Sequence, residues 1–162
     1  MTSPLHATSP AHAVSPPHPG PLPKGRGDPP DPVTLEVIRH RLQSIAREMS
    51  ATIIRTAVST VISEARDFSC TIFDRDGNLV AGAATVLFHF GVVARAAKTI
   101  LEEFARDIHP GDLFLANDPH HGGGLHAQDV ILLKPIFDGD RPIAWAGASG
   151  HMLDVGGMVP GS

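Results

Sequence analysis

The sequence is 162 residues long and carries a formal net charge of −4 at pH 7, with one cysteine. This length suits one main domain with a sizeable core, and the mild charge without a basic run does not indicate a nucleic-acid partner. The single cysteine excludes a framework of intramolecular disulfides, and no apolar run reaches the ~18 residues that a membrane span needs. Because the N-terminus also lacks the apolar segment of a secretory signal, we expect a cytoplasmic protein without a membrane partner.

The first 30 residues differ in composition from the rest of the chain. They hold nine of the fifteen prolines, mixed with serine, alanine and glycine. His6, His12 and His18 recur every six residues, which is also a pattern of metal-binding tracts. A proline-rich segment without apolar periodicity cannot bury enough surface to order itself. We therefore predict that residues 1–30 form a disordered tail, followed by a domain over residues 31–162.

A long helix is predicted over residues 32–56. Asp31 followed by Pro32 is a favourable helix start, because aspartate caps the free N–H groups and proline suits the first helical position. Apolar residues then follow at spacings of three and four: Leu35, Ile38, Leu42, Ile45 and Met49. This stripe predicts a helix face that packs into the core or against another subunit.

The next segments predict a hairpin and a second helix. Residues 69–73 and 78–81 are typical of strands, and the Asp-Gly turn chemistry of residues 74–77 joins them. A helix is predicted over residues 93–108, ended by Pro110-Gly111. Its inward positions are expected to be Ala97, Ile100, Leu101 and Phe104.

The last third of the chain alternates short apolar runs with polar turns. Residues 113–116, 130–137 and 142–149 are predicted strands, and residues 138–140 are the turn of an antiparallel return. The predicted fold class is therefore α+β, with a long N-terminal helix, antiparallel hairpins and a second helix, as part of a larger domain.

The stretch from Asn117 to Asp129 concentrates the polar chemistry of the sequence. His126 and Asp129 are three residues apart, and His151 follows at the end of the predicted hairpin. Positions 129 and 151 are roughly equidistant from the turn, so pairing of the two strands would bring them together. Two imidazoles and one carboxylate are ligands of manganese, iron or zinc, and we expect their ligand atoms within roughly 4 Å of one another. A purely structural role, with the histidines capping loops, remains the alternative.

Two further features have alternative readings. Gly122-Gly123-Gly124 could cradle a phosphate, but the lysine and Ser/Thr of a P-loop are missing and no Gly-x-Gly-x-x-Gly occurs, so we predict no nucleotide site in this chain. Cys70 could be a nucleophile, but it lies in a predicted buried strand, where a cysteine is usually an inert small hydrophobe.

Several short blocks occur in order along the chain: Ser63-Glu64-Ala65-Arg66-Asp67-Phe68-Ser69-Cys70, Phe73-Asp74 with Gly77, His89-Phe90-Gly91, Pro110-Gly111-Asp112, Asn117-Asp118-Pro119, His126-x-x-Asp129, Gly150-His151-x-x-Asp154-x-Gly156-Gly157 and Pro160-Gly161-Ser162. In these blocks, from about residue 31 to the end, the sequence resembles the hydantoinase B/oxoprolinase family. That family includes N-methylhydantoinase beta subunits and a related acetone carboxylase subunit. Two departures are a glycine loop that is one residue longer than the commonest form, and His120 at a position that is usually aromatic. Family members continue beyond the last block, so the sequence resembles an N-terminal fragment.

The resemblance implies a subunit of an ATP-dependent hydrolase that opens cyclic amides such as hydantoin or 5-oxoproline. It implies a divalent metal, manganese or zinc, on His126, Asp129 and His151, with ATP on a hydantoinase A-like partner subunit. The candidate catalytic residues are His121, as a proton carrier, and Asp118, which with Asp154 would orient the ligand imidazoles.

Two other functions are compatible with the same resemblance. One is a ligase subunit of the ketone carboxylase type, which would share the metal site. The other is an inactive remnant that only binds a partner. In each case we expect the isolated chain to show neither ATPase nor ring-opening activity.

Overall fold

A computed structural model describes residues 30–104 and 107–159 of the chain. The predicted disordered tail lies outside these residues, except for Pro30. In chain order the helices and strands are α1 (Pro32–Thr56), α2 (Thr60–Ser63), β1 (Phe68–Asp74), β2 (Leu79–Ala84), α3 (His89–Phe104), β3 (Phe114–Ala116), β4 (Asp129–Asp138) and β5 (Arg141–His151). None of the helices in the described ranges is both long enough and apolar enough to cross a membrane.

The strands form one five-stranded antiparallel sheet in the order β2-β1-β5-β4-β3. The predicted α+β class is therefore confirmed. Residues Ile72 and Phe73 are neighbours on β1, so their side chains point to opposite faces of the sheet. Ile72 packs against α1 on one face of the sheet, whereas Phe73 belongs to a larger core between the other face and α3. The sheet is thus covered by one long helix on each face.

Helix α1 begins at Pro32, as the capping residue Asp31 predicted. The Asp31 carboxylate accepts hydrogen bonds from the backbone N–H of Val33 at 3.0 Å and of Thr34 at 3.1 Å. The second half of the apolar stripe packs on β1 and β2 around the buried Ala46, while Leu35 and Ile38 are 51% and 48% exposed. The predicted packing into the core is therefore confirmed for the second half of the stripe, and contact of the first half with another subunit stays a prediction.

Helix α3 begins at His89, four residues before the predicted start. Gly91, a poor helix former, lies in the first turn of this helix, and no described residue outside the helix backbone lies within 4 Å of a Cβ placed there. Ala97 and Ile100 face the core as expected, whereas Phe104 is 40% exposed and contacts the ring of Phe114.

The core below α3 gathers the largest buried side chains. Trp145 on the central strand β5 and Phe73 on its neighbour β1 are fully buried against α3. The Trp145 indole N–H donates to the Arg75 carbonyl at 3.4 Å, so its polar atom has a partner. Ile131 of this core lies two residues after Asp129 on β4 and therefore on the same face, so the core adjoins the end of the sheet that carries the polar residues.

Candidate metal centre

The β4–β5 hairpin places Asp129 directly opposite His151. The two are Cα partners at the open end of the hairpin, and the turn at its other end pairs Asp138 with Arg141 around Gly139, whose φ is +59°. The backbone thus sets the separation of Asp129 and His151, as the spacing predicted.

His126 reaches the same place from the loop before β4. Its carbonyl accepts from the Asp129 N–H at 3.0 Å, and its Nδ1 lies 3.8 Å from Asp129 Oδ2. On the other side, His151 Nδ1 lies 3.4 Å from Asp129 Oδ1. The two imidazoles meet edge to face with centroids 4.9 Å apart. One carboxylate is therefore flanked by two rings.

This donor set fits a divalent metal. One ligand atom from each of the three residues lies within 4.8 Å of the others. Donors on a shared ion at 2.0–2.2 Å would stand roughly 3–3.5 Å apart, so small side-chain rotations would close the site. The separation is wider than the expected 4 Å. Asp129 has 2% of its side chain exposed and His126 has 50%, so the set has a buried base and an open side.

The glycine-rich loop is shaped by its own chain. A Cβ at Gly124 would overlap the Cβ of Asp129, and one at Gly123 would overlap the backbone N of Asp118. A Cβ at Gly122, where φ is +87°, would meet Thr99. Atoms of the protein itself thus occupy the positions that side chains at these three residues would need. This close packing accounts for the three glycines, and a phosphate-binding role is not needed to explain them. The Leu125 N–H, just after them, donates to Asp129 Oδ2 at 3.0 Å and fixes that oxygen.

His121 and Asp118 form a separate pair on the surface of this loop. The Asp118 carboxylate lies 2.8 Å from His121 Nδ1 and also accepts from the His120 N–H at 2.8 Å. The hydrogen bond from His121 holds the pKa of the Asp118 carboxyl below its usual value.

The expected orienting role of Asp118 and Asp154 is not seen. The Asp118 hydrogen bonds go to its own loop, and the Asp154 carboxylate accepts from the Gly156 N–H. Within the described residues, neither carboxylate is hydrogen-bonded to a ring of the triad formed by His126, Asp129 and His151.

Two residues near the triad were not among the sequence-predicted site residues. His89, the first residue of α3, is fully buried, and its Nε2 lies 3.7 Å from Asp67 Oδ1. Burial lowers the pKa of the His89 imidazole, while the carboxylates of Asp129 and Asp67 act in the opposite direction. These two residues are His89 and Asp67. In the sequence each stood out only as part of one of the short family blocks, and the resemblance gave neither of them a role.

Cys70 is buried in β1, as expected. Burial raises the pKa of its thiol to about 11, so the thiolate is scarce at neutral pH. A nucleophilic role for this cysteine is not supported.

Comparison with known proteins gives concordant matches. The model of the hydantoinase B/oxoprolinase family matches residues 31–162. A 5-oxoprolinase from Dictyostelium discoideum is 39% identical over 132 residues, which are 82% of this chain and 10% of that protein. The beta subunit of a caprolactamase from Pseudomonas jessenii is 34% identical over 130 residues, 80% of this chain and 22% of that protein.

Two solved structures share the fold. An ATP-dependent caprolactamase from Pseudomonas jessenii superposes with a TM-score of 0.75 at 33% identity, over 83% of this chain and 23% of that one. A nucleotide-free acetone carboxylase superposes with a TM-score of 0.73 at 24% identity, over 79% of this chain and 17% of that one. The chain spans only 10% of the length of the first of these relatives.

Proposed function

The chain belongs to the hydantoinase B/oxoprolinase family, and from this membership we propose that it is part of a subunit of an ATP-dependent hydrolase that opens cyclic amides. The substrates would be rings such as 5-oxoproline or a hydantoin. The names of the relatives at 34–39% identity, a 5-oxoprolinase and a caprolactamase subunit, support this reaction class.

The observation that carries the proposal is the convergence of His126, Asp129 and His151. We propose that they hold a divalent metal, manganese or zinc, because both ions accept imidazole and carboxylate ligands. Such an ion polarises a carbonyl or lowers the pKa of bound water. Asp129 supplies the buried negative charge, and the two neutral imidazoles supply nitrogen donors without adding charge.

The neighbouring loop supplies the acid–base chemistry of the proposal. The Nδ1 of His121 is engaged by the Asp118 carboxylate, so proton exchange with a substrate would use Nε2. In ring opening, a water oxygen adds to the amide carbon, the C–N bond breaks and the nitrogen takes a proton. His121 is the candidate donor of that proton.

ATP would bind to a partner subunit of the hydantoinase A type. The sequence of this chain has no P-loop pattern, and the caprolactamase relative is itself named as a beta subunit. The partner would activate the cyclic amide with ATP, and the present chain would contribute the metal centre to the opening of the activated ring.

A ligase function of the ketone carboxylase type is the second candidate. The fold shared with acetone carboxylase favours it, but at 24% identity that likeness speaks for the fold alone. A role limited to partner binding is the third candidate. The buried carboxylate between two imidazoles favours a catalytic role over it.

The test is turnover by this chain in complex with its ATP-using partner subunit. We expect ATP-dependent opening of 5-oxoproline or hydantoin, and Asp129→Asn should reduce the rate by at least ~100-fold because the triad loses its charge. Asp140→Asn, at an exposed turn residue, is the matched control and should keep the wild-type rate. Incorporation of labelled bicarbonate into acetone would instead support the ligase. Full activity of Asp129→Asn would contradict the proposed centre.

A further inference from the structure

His89 is buried in an unusual way for a histidine. Its side chain has 0% exposure, and both ring nitrogens lack a hydrogen-bond partner among the residues that the structure describes. A buried polar group without a partner destabilises the folded state, because it loses its hydrogen bonds to water and gains none in return. Native proteins keep such groups rarely, and often at sites that bind an ion or perform chemistry. A histidine that only filled the core would be expected to bond a nearby carbonyl or hydroxyl.

The surroundings of His89 are those of the proposed metal centre. Its Nε2 points to Asp67 Oδ1 at 3.7 Å, which is beyond hydrogen-bond length by less than an ångström. The charges that act on the ring belong to Asp67 and to all three residues of the triad. The Phe88 ring packs edge-on against it at 4.7 Å. The imidazole is therefore held beside both Asp67 and the triad.

Asp67 is tied to the triad through the backbone. Its carbonyl accepts a hydrogen bond from the N–H of His151 at 3.0 Å. The residue before it, Arg66, has a φ of +59°, which is uncommon for a residue other than glycine. This turn sets the direction in which Asp67 enters β1. The side chain of Asp67 is 35% exposed, so it lacks the packing that would fix a carboxylate by itself.

We propose that His89 is a positioning residue of the metal centre: its Nε2–H donates to the Asp67 carboxylate and holds that carboxylate beside the triad. The inference rests on the proposed metal function of His126, Asp129 and His151. A small rotation of either side chain brings the pair to hydrogen-bond distance. Imidazole–carboxylate contacts just outside the ligands of a metal typically account for about 10- to 100-fold of metal affinity.

The experiment is a calorimetric titration of the full 162-residue chain with Mn²⁺ alone. His89→Leu keeps the volume of the side chain and removes its N–H, so it should weaken Mn²⁺ binding about 10- to 100-fold. His89→Gln places an amide N–H near the Nε2 position and should stay within about threefold of the wild type. His40→Ala, at an exposed histidine of α1, is the matched control and should bind as the wild type does.

A double-mutant cycle separates positioning from a merely structural role. If His89 acts through Asp67, His89→Leu should cause no further loss in the Asp67→Asn background. Additive losses would overturn the inference, because the two residues would then act independently. If His89→Leu does not fold, the Mn²⁺ affinities of His89→Gln and His89→Asn test the inference instead. The shorter asparagine side chain places its N–H only near the Nδ1 position, so the His89→Gln variant should bind Mn²⁺ clearly more tightly than His89→Asn.

The outcomes distinguish this inference from the metal centre itself. Mn²⁺ binding that is lost in His126→Ala but unchanged in His89→Leu overturns the role of His89 and leaves the centre standing. Equal Mn²⁺ affinity of the wild type and His126→Ala, or no binding by the wild type, overturns the centre and the inference together.

Discussion

The position of Asp129 depends on the absence of a side chain at residue 124. Gly124→Ala would place a methyl group against the Asp129 Cβ. Relief of such an overlap typically costs about 1–3 kcal/mol and would displace the carboxylate. We expect lower stability in urea unfolding and weaker Mn²⁺ binding. Gly91→Ala is the matched control, because a Cβ there meets nothing within 4 Å in the described chain and alanine favours a helix by roughly 0.5–1 kcal/mol. Equal stability of the two variants would contradict the packing of this loop.

Cys70 provides a second test on a single residue. Because burial raises its pKa to about 11, the thiol should resist alkylation by iodoacetamide at pH 8 in the folded protein and react rapidly once unfolded in urea. It is the one cysteine of the sequence, so the modification can be read directly by mass spectrometry. Rapid alkylation without denaturant would show that β1 is not covered as described.

The central strands depend on the packing of α3 against the sheet. Trp145 on β5 is fully buried there, so Trp145→Ala should lower the free energy of unfolding by about 3–5 kcal/mol. Leu115→Ala on β3 is the control, because this leucine is 65% exposed and its loss should change stability by about 0.5 kcal/mol or less. Similar losses in the two variants would contradict the assignment of the core to the α3 face.

The sequence predicted the elements whose signals are local. The cap at Asp31 located the start of α1, and the turn at residues 138–140 located the hairpin that aligns Asp129 with His151. The start of α3 was predicted late because glycine is a poor helix former, and the burial of His89 in the first turn is not visible in the sequence. The stripe that contains Leu35 was predicted to pack into the core or against another subunit, and helical periodicity does not tell how far the sheet of the same chain extends beneath a helix.

For the site, the sequence predicted the convergence of His126, Asp129 and His151 because two of them share a hairpin and the third is three residues away. Their role as metal ligands remains a prediction. Asp67 and His89 were missed because their relation to the triad arises from the pairing of β1 with β5 and from the burial of the first turn of α3. Neither effect leaves a periodic pattern in the sequence.

For the whole molecule, the central claim is that two strands and one loop assemble a metal centre at one end of the sheet. The most direct measurement is a crystal structure of the protein grown with Mn²⁺, with anomalous diffraction recorded on both sides of the manganese edge. This metal centre should give one strong anomalous peak bonded to a ring nitrogen of His126, a ring nitrogen of His151 and an oxygen of Asp129, at roughly 2.0–2.2 Å. A peak at another site, or no peak between these three residues at saturating Mn²⁺, would contradict it.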